Sequence, residues 1–197
     1  MQRTARLVVL LFLVCVFAAV DAAKGEGHGL HKAESQKGIL AGYGVTHTGI
    51  GDTRTTVQDL DLLLRYGRFL TDTAGRSWYQ GRHELIIELP FYYVVSPKTA
   101  SMAGINFLAC WDFTAFEKIV PYLFAGGGLI YTDLGIPGLG SSLNGNYQGG
   151  IGFHYFIKPN VSLDFNYRLH HISNAGTAEP NEPLNSSKIL AGFSLFN

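Results

Sequence analysis

Near its C-terminus the chain reads Leu169-His170-His171-Ile172-Ser173-Asn174-Ala175-Gly176. His171 and Ser173 are two positions apart, and on a β-strand that spacing sends both side chains to the same face. A histidine nitrogen beside a serine hydroxyl can take its proton, which turns a weak nucleophile into one able to attack a carbonyl carbon. Such a pair needs a third group to hold the imidazole in the right tautomer, and donors for the oxyanion. Asn185, Glu179 and Glu182 follow closely enough to serve as the orienting group. Asn174 and the backbone amides of Ala175 and Gly176 are the candidate oxyanion donors.

The segment that leads into the pair alternates. Its odd positions are Val161, Leu163, Phe165, Tyr167 and Leu169, and its even positions are Ser162, Asp164, Asn166, Arg168 and His170. Eight segments have this period, over 39–45, 59–66, 83–95, 103–113, 120–132, 143–157, 161–169 and 187–196. In the fifth, Gly126-Gly127-Gly128 blurs the two faces; no helix follows that run, so it reads as strand packing rather than a phosphate loop. A soluble sandwich would alternate as well, with its polar face in water. Here Asp, Glu, Arg, Asn and Gln mark one face of nearly every segment, and Tyr, Phe and Leu crowd the other. The lengths suit transmembrane strands of about 9–11 residues. The expected fold is therefore all-β, an eight-stranded antiparallel transmembrane barrel of the outer-membrane type, with apolar side chains outward and no free edge.

Residues 1–22 read as a signal peptide. Arg3 and Arg6 form its basic start, Leu7 to Val20 its apolar stretch, and Val20-Asp21-Ala22 its cleavage site. Residues 23–37 read as a mobile polar tail and 38–197 as the barrel. Cys15 lies in the leader, so Cys110 has no partner for an intrachain disulfide. The formal charge is balanced, which argues against nucleic acid as a partner.

Lys158-Pro159-Asn160 makes a tight turn of the kind found on the periplasmic side of such barrels. With both termini on that side, odd-numbered strands run outward. The connection Thr71–Gly81 is then periplasmic, and longer than such turns usually are. His171 and Ser173 continue the lipid-facing series and stand at the outer rim, where a polar pair is costly unless it is used. A hairpin centred near Ala178 sets Asn185, of the same parity, opposite His171. His170 and His154 point inward and read as parts of a polar lumen network, so no metal site is expected. Trp78, Tyr79, Tyr92, Tyr93 and Trp111 are candidates for the interfacial girdles.

His171-Ile172-Ser173-Asn174-Ala175-Gly176 with Pro180-Asn181, and Gly138-Leu139-Gly140-Ser141-Ser142-Leu143-Asn144 before them, resemble the signature of the lipid A 3-O-deacylases, the PagL family. The likeness is specific over about residues 138–185 and looser from Ile39 onward. It implies an outer-membrane barrel that hydrolyses the 3-O-linked acyl chain of lipid A, with no cofactor. Its partners would be lipopolysaccharide and the surrounding membrane lipids, with a homodimer left open. By resemblance His171 is the base, Ser173 the nucleophile, Asn174 an oxyanion group and Asn181 a supporting residue. One departure stands out: the family's glutamate, fourteen positions after the histidine, is Asn185 here. An amide can orient a histidine but stabilises the imidazolium less. The competing functions are a non-enzymatic barrel for structure or adhesion, and a barrel phospholipase.

Overall fold

A computed structural model describes residues 29–197. The expected leader and the first part of the tail lie outside the described residues. Eight strands run β1 Ser35–Thr46, β2 Gln58–Phe69, β3 Arg82–Ser96, β4 Ala100–Asp112, β5 Ile119–Thr132, β6 Leu143–Lys158, β7 Val161–Ser173 and β8 Leu184–Phe196. Each pairs antiparallel with its sequence neighbours, and β8 closes onto β1 to complete the barrel.

The direction of the alternation separates this barrel from a soluble sandwich. On β2, Leu60 is 52% and Leu64 43% exposed, while Asp61 and Arg65, the residues that follow each of them, are 4% exposed. The apolar series faces outward and the charged series is buried, as a lipid exterior requires. Inside, Glu88 lies between two guanidinium groups, 2.9 Å from Arg65 and 2.8 Å from Arg168. Arg65 also reaches Asp164 at 3.0 Å. Nearer the loop end, Lys188 meets Asp59 at 2.7 Å and Asp61 at 3.0 Å. Charges removed from water in this way persist only when paired and hydrogen-bonded. Gly126, Gly127 and Gly128 lie within β5, where an added Cβ would meet the backbone of β4 or β6. The glycine run therefore serves close strand packing.

Two expectations change. The stretch before the barrel is not a free tail throughout. A 3-10 turn at Gly29–His31 folds across the end that holds the termini. Leu30 and Ala33 are buried there with Phe69, Val120, Phe156 and Phe196. The Arg82 guanidinium donates to the carbonyls of Leu30 and Ala33 at 2.6 and 2.8 Å. Burial, helped by Arg82, holds the His31 imidazole pKa below its usual value. Two apolar residues among glycines and charges are enough to anchor this turn on the barrel end, and β1 begins at Ser35. Tyr92 is not in a girdle either. It is 2% exposed inside the barrel, with the Lys188 ammonium 3.9 Å from its ring centroid. Parity decides its side: its neighbours Phe91 and Tyr93 are the outward residues. Trp78, Tyr79 and Tyr93 are exposed, and Trp78 stacks on Phe113 with centroids 6.4 Å apart. Trp111 is half-buried against His83.

β7 and β8 extend further than their apolar alternation suggests. The ladder continues through His171 opposite Asn185 and Ile172 opposite Leu184. Polar side chains end the hydrophobic pattern without ending the backbone pairing. The residues of interest therefore stand on strands held by two neighbours.

Candidate active site

Ser173 closes β7, and its hydroxyl oxygen is 3.0 Å from His171 Nε2. The other ring nitrogen, Nδ1, is 2.7 Å from Asn185 Oδ1 across the β7–β8 ladder. The three side chains form one line on the outer wall, at the end of the barrel opposite the termini. Strand parity puts them there, because His171 and Ser173 share the side of Leu169, which is 58% exposed. The Tyr147 ring, from the neighbouring β6, stacks on the His171 imidazole with centroids 4.2 Å apart at 19°. Tyr147 is the residue opposite His171 in the β6–β7 register.

The loop between β1 and β2 supports the line from behind. Asn185 Nδ2 donates to the Ile50 carbonyl at 3.0 Å and to Thr53 Oγ1 at 2.9 Å. Thr53 is 2% exposed. Gly51, next to Ile50, has φ +56°, a left-handed conformation that favours glycine, and its missing Cβ would lie 3.2 Å from Asn185 Nδ2.

Glu179 and Glu182 are not beside the histidine. Glu179 is exposed in the loop between β7 and β8, and Glu182 pairs with Arg54 at 3.1 Å. Asn174 is also engaged elsewhere. It is 3% exposed, with its amide nitrogen 2.8 Å from the Ala178 carbonyl and 3.4 Å from that of Pro180. Its Oδ1 takes the Gly176 amide at 2.9 Å, and its own backbone N–H goes to Asn181 Oδ1 at 3.0 Å. Asn174 and Asn181 therefore brace the loop that follows the serine, and the Gly176 amide is occupied. The Ala175 amide has no acceptor among the described residues, and Ala175 takes a left-handed φ of +53°. Sequence reasoning missed Thr53, Ile50 and Tyr147. The tight turn at Lys158-Pro159-Asn160 makes β6 the neighbour of β7, but a bulge between Phe156 and Lys158 shifts the register before Tyr147 meets His171.

Inside the barrel, His170 and His154 are apart. His154 is opposite Asp164 on β7, six positions from His170, and it lies 3.2 Å from Ser162. His170 meets Asn146 at 3.3 Å. Among the described residues, Glu84, Cys110 and Asp112 bring ligand-type atoms within 4.8 Å of one another, near the end that holds the termini and away from the serine.

A closed eight-stranded barrel, apolar outside and polar within, is an outer-membrane protein of the bacterial type. Solved structures of the same kind agree. The chain is similar to the outer membrane enzyme PagL, at 20% identity over 81% of this chain and 98% of that one, with a TM-score of 0.60. It is similar to Neisserial surface protein A at 19% identity, 83% and 97% coverage and a TM-score of 0.55. OprG of Pseudomonas aeruginosa gives 14% identity, 87% and 98% coverage and a TM-score of 0.52. No curated protein matches the sequence. The sequence model of the family "Lipid A 3-O-deacylase (PagL)" matches residues 41–194, and the chain belongs to that family. Its place is the bacterial outer membrane.

Proposed function

We propose that this protein is a serine esterase that removes the 3-O-linked acyl chain of lipid A, with Ser173 as nucleophile, His171 as general base and Asn185 as the orienting group. The observation that carries this reading is the continuous Ser173–His171–Asn185 line on the lipid-facing wall. A soluble substrate gains nothing from a site there, whereas a membrane lipid reaches it by lateral diffusion. The rim position matches the level at which acyl esters lie in a leaflet, just below the headgroups.

In this mechanism Asn185 Oδ1 accepts the Nδ1 proton and leaves Nε2 free to take the proton of Ser173. The serine oxygen attacks the ester carbonyl and gives a tetrahedral oxyanion. The Ala175 amide, next but one to the nucleophile and without another acceptor, is the donor best placed for that charge. Asn174 and Asn181 act by holding this loop in shape. The imidazolium returns its proton to the departing sugar oxygen, and the acyl-enzyme forms. Water, deprotonated by His171, then releases the fatty acid. The face of Tyr147 meets the imidazolium and favours the positive charge by a cation–π contact, which offsets part of what a neutral Asn185 does not supply.

The test is mass spectrometry of lipid A from cells that carry the wild type or Ser173→Ala in their outer membrane. Loss of one ester-linked acyl chain with the wild type, and none with Ser173→Ala, is the expected result. Unchanged lipid A in cells with correctly inserted wild type would overturn the assignment. Release of acyl chains from phospholipids instead would favour the phospholipase reading.

A further inference from the structure

An amide as the orienting group raises a problem that a carboxylate does not. A carboxylate presents an acceptor whichever way it turns, but an amide turned over would present its NH₂ to His171. The imidazole would then have to accept at Nδ1 and carry its proton on Nε2, where it cannot take the proton of Ser173. Something must fix the orientation of the Asn185 amide.

Resting on the catalytic reading above, we infer that Thr53, in the loop between β1 and β2, is a positioning residue that sets the polarity of the whole hydrogen-bond line. The line of hydrogen bonds ends at Pro183. Its carbonyl can only accept, and Thr53 Oγ1 lies 2.8 Å from it and donates to it. A threonine hydroxyl has one proton, so toward every other neighbour Thr53 is an acceptor. Two groups of Asn185 donate to it, the backbone N–H at 3.0 Å and Nδ2 at 2.9 Å. The Ile50 carbonyl, also acceptor-only, takes the second Nδ2 proton at 3.0 Å. With both amide protons committed, Oδ1 faces His171 Nδ1 at 2.7 Å and only accepts. His171 therefore carries its proton on Nδ1, and Nε2 is bare toward Ser173 at 3.0 Å. Every bond in the series points the same way, from the serine hydroxyl toward the carbonyl of Pro183.

An aspartate at 185, which has the shape of the asparagine, would set a carboxylate oxygen against the Ile50 carbonyl where an N–H now sits, and would ask Thr53 for a proton already given to Pro183. This loop is matched to an amide.

The experiment uses the full chain in lipid nanodiscs, with lipid A deacylation measured by mass spectrometry and the His171 tautomer read from ring ¹⁵N shifts. The His171→Ala spectrum assigns the signal. Thr53→Val keeps the shape and removes the hydroxyl. It is expected to lower kcat at least about tenfold with KM nearly unchanged, and to populate the Nε2–H tautomer of His171. Thr53→Ser is expected to restore both the rate and the Nδ1–H signal. Asn185→Asp is expected to be slower than the wild type, and it tests the loop even where Thr53→Val does not fold. Wild-type kcat and tautomer in Thr53→Val, with Ser173→Ala inactive, would overturn the role of Thr53 and leave the catalytic assignment standing. So would an Asn185→Asp enzyme as fast as the wild type. An active Ser173→Ala would overturn the catalytic assignment itself.

Discussion

In the proposed mechanism, replacing Asn185 with alanine measures how much a neutral orienting group contributes. In the resting enzyme Asn185 Oδ1 accepts one hydrogen bond, at 2.7 Å, from a neutral imidazole. Such a bond contributes about 0.5–1.5 kcal/mol net, and about 1.5–3 kcal/mol when one partner is charged. Only the increase on forming the imidazolium lowers the barrier, and that is about 1–1.5 kcal/mol, or roughly tenfold in rate. Loss of the tautomer preference adds up to about another tenfold. Asn185→Ala is therefore expected to lower kcat by about 10- to 100-fold, with KM little changed because Asn185 lies behind the histidine. Disabling a charged orienting group costs about 10⁴-fold in triads that use an aspartate. The assay is steady-state deacylation of lipid A in mixed micelles, by mass spectrometry of the product. Heat-dependent gel mobility checks that the barrel is folded. Full activity in Asn185→Ala would refute the orienting role. A loss near 10⁴-fold would refute the argument that a neutral amide contributes only this much.

Two further outcomes follow from the same structure. Tyr147→Phe keeps the ring that stacks on His171 and is expected to retain activity within about twofold. Tyr147→Ala removes it and is expected to lose about threefold or more in kcat, for a cation–π contact of about 0.5–1 kcal/mol; equal rates for the two variants would exclude the contact. In the lumen, Glu88→Leu leaves Arg65 and Arg168 without the carboxylate they share, and breaking a buried pair from one side costs about 3–5 kcal/mol. Equilibrium unfolding in detergent should show that loss, and a change below about 1 kcal/mol would mean that the network relaxes around the gap.

Much of this arrangement was legible in the residues. Period-2 alternation places every strand, and its polarity gives the inside and the outside. The turn around Ala178 makes Asn185 the partner of His171, and the ladder pairs them. Other parts were hidden for definite physical reasons. The residue type of Tyr92 suggested an interface, but parity sends it to the lumen against Lys188. Asn174 has the chemistry of an oxyanion donor, yet asparagine readily bonds its own local backbone, and here Gly176, Ala178 and Pro180 occupy it. Leu30 and Ala33 sit among glycines and charges, where a short buried turn leaves no periodic trace. Thr53 meets Asn185 from 132 positions away, because the barrel closes β8 onto β1. No local pattern announces such a contact.

The barrel's packed interior and the outward placement of Ser173 have a kinetic consequence. The lumen is crossed by buried ion pairs while Ser173 stands on the outer wall, so in the proposed mechanism both substrate and fatty-acid product travel within the leaflet. The concentration that governs turnover is then the mole fraction of substrate among the lipids around the wall. Adding inert lipid or detergent at constant total substrate should slow the enzyme as surely as removing substrate.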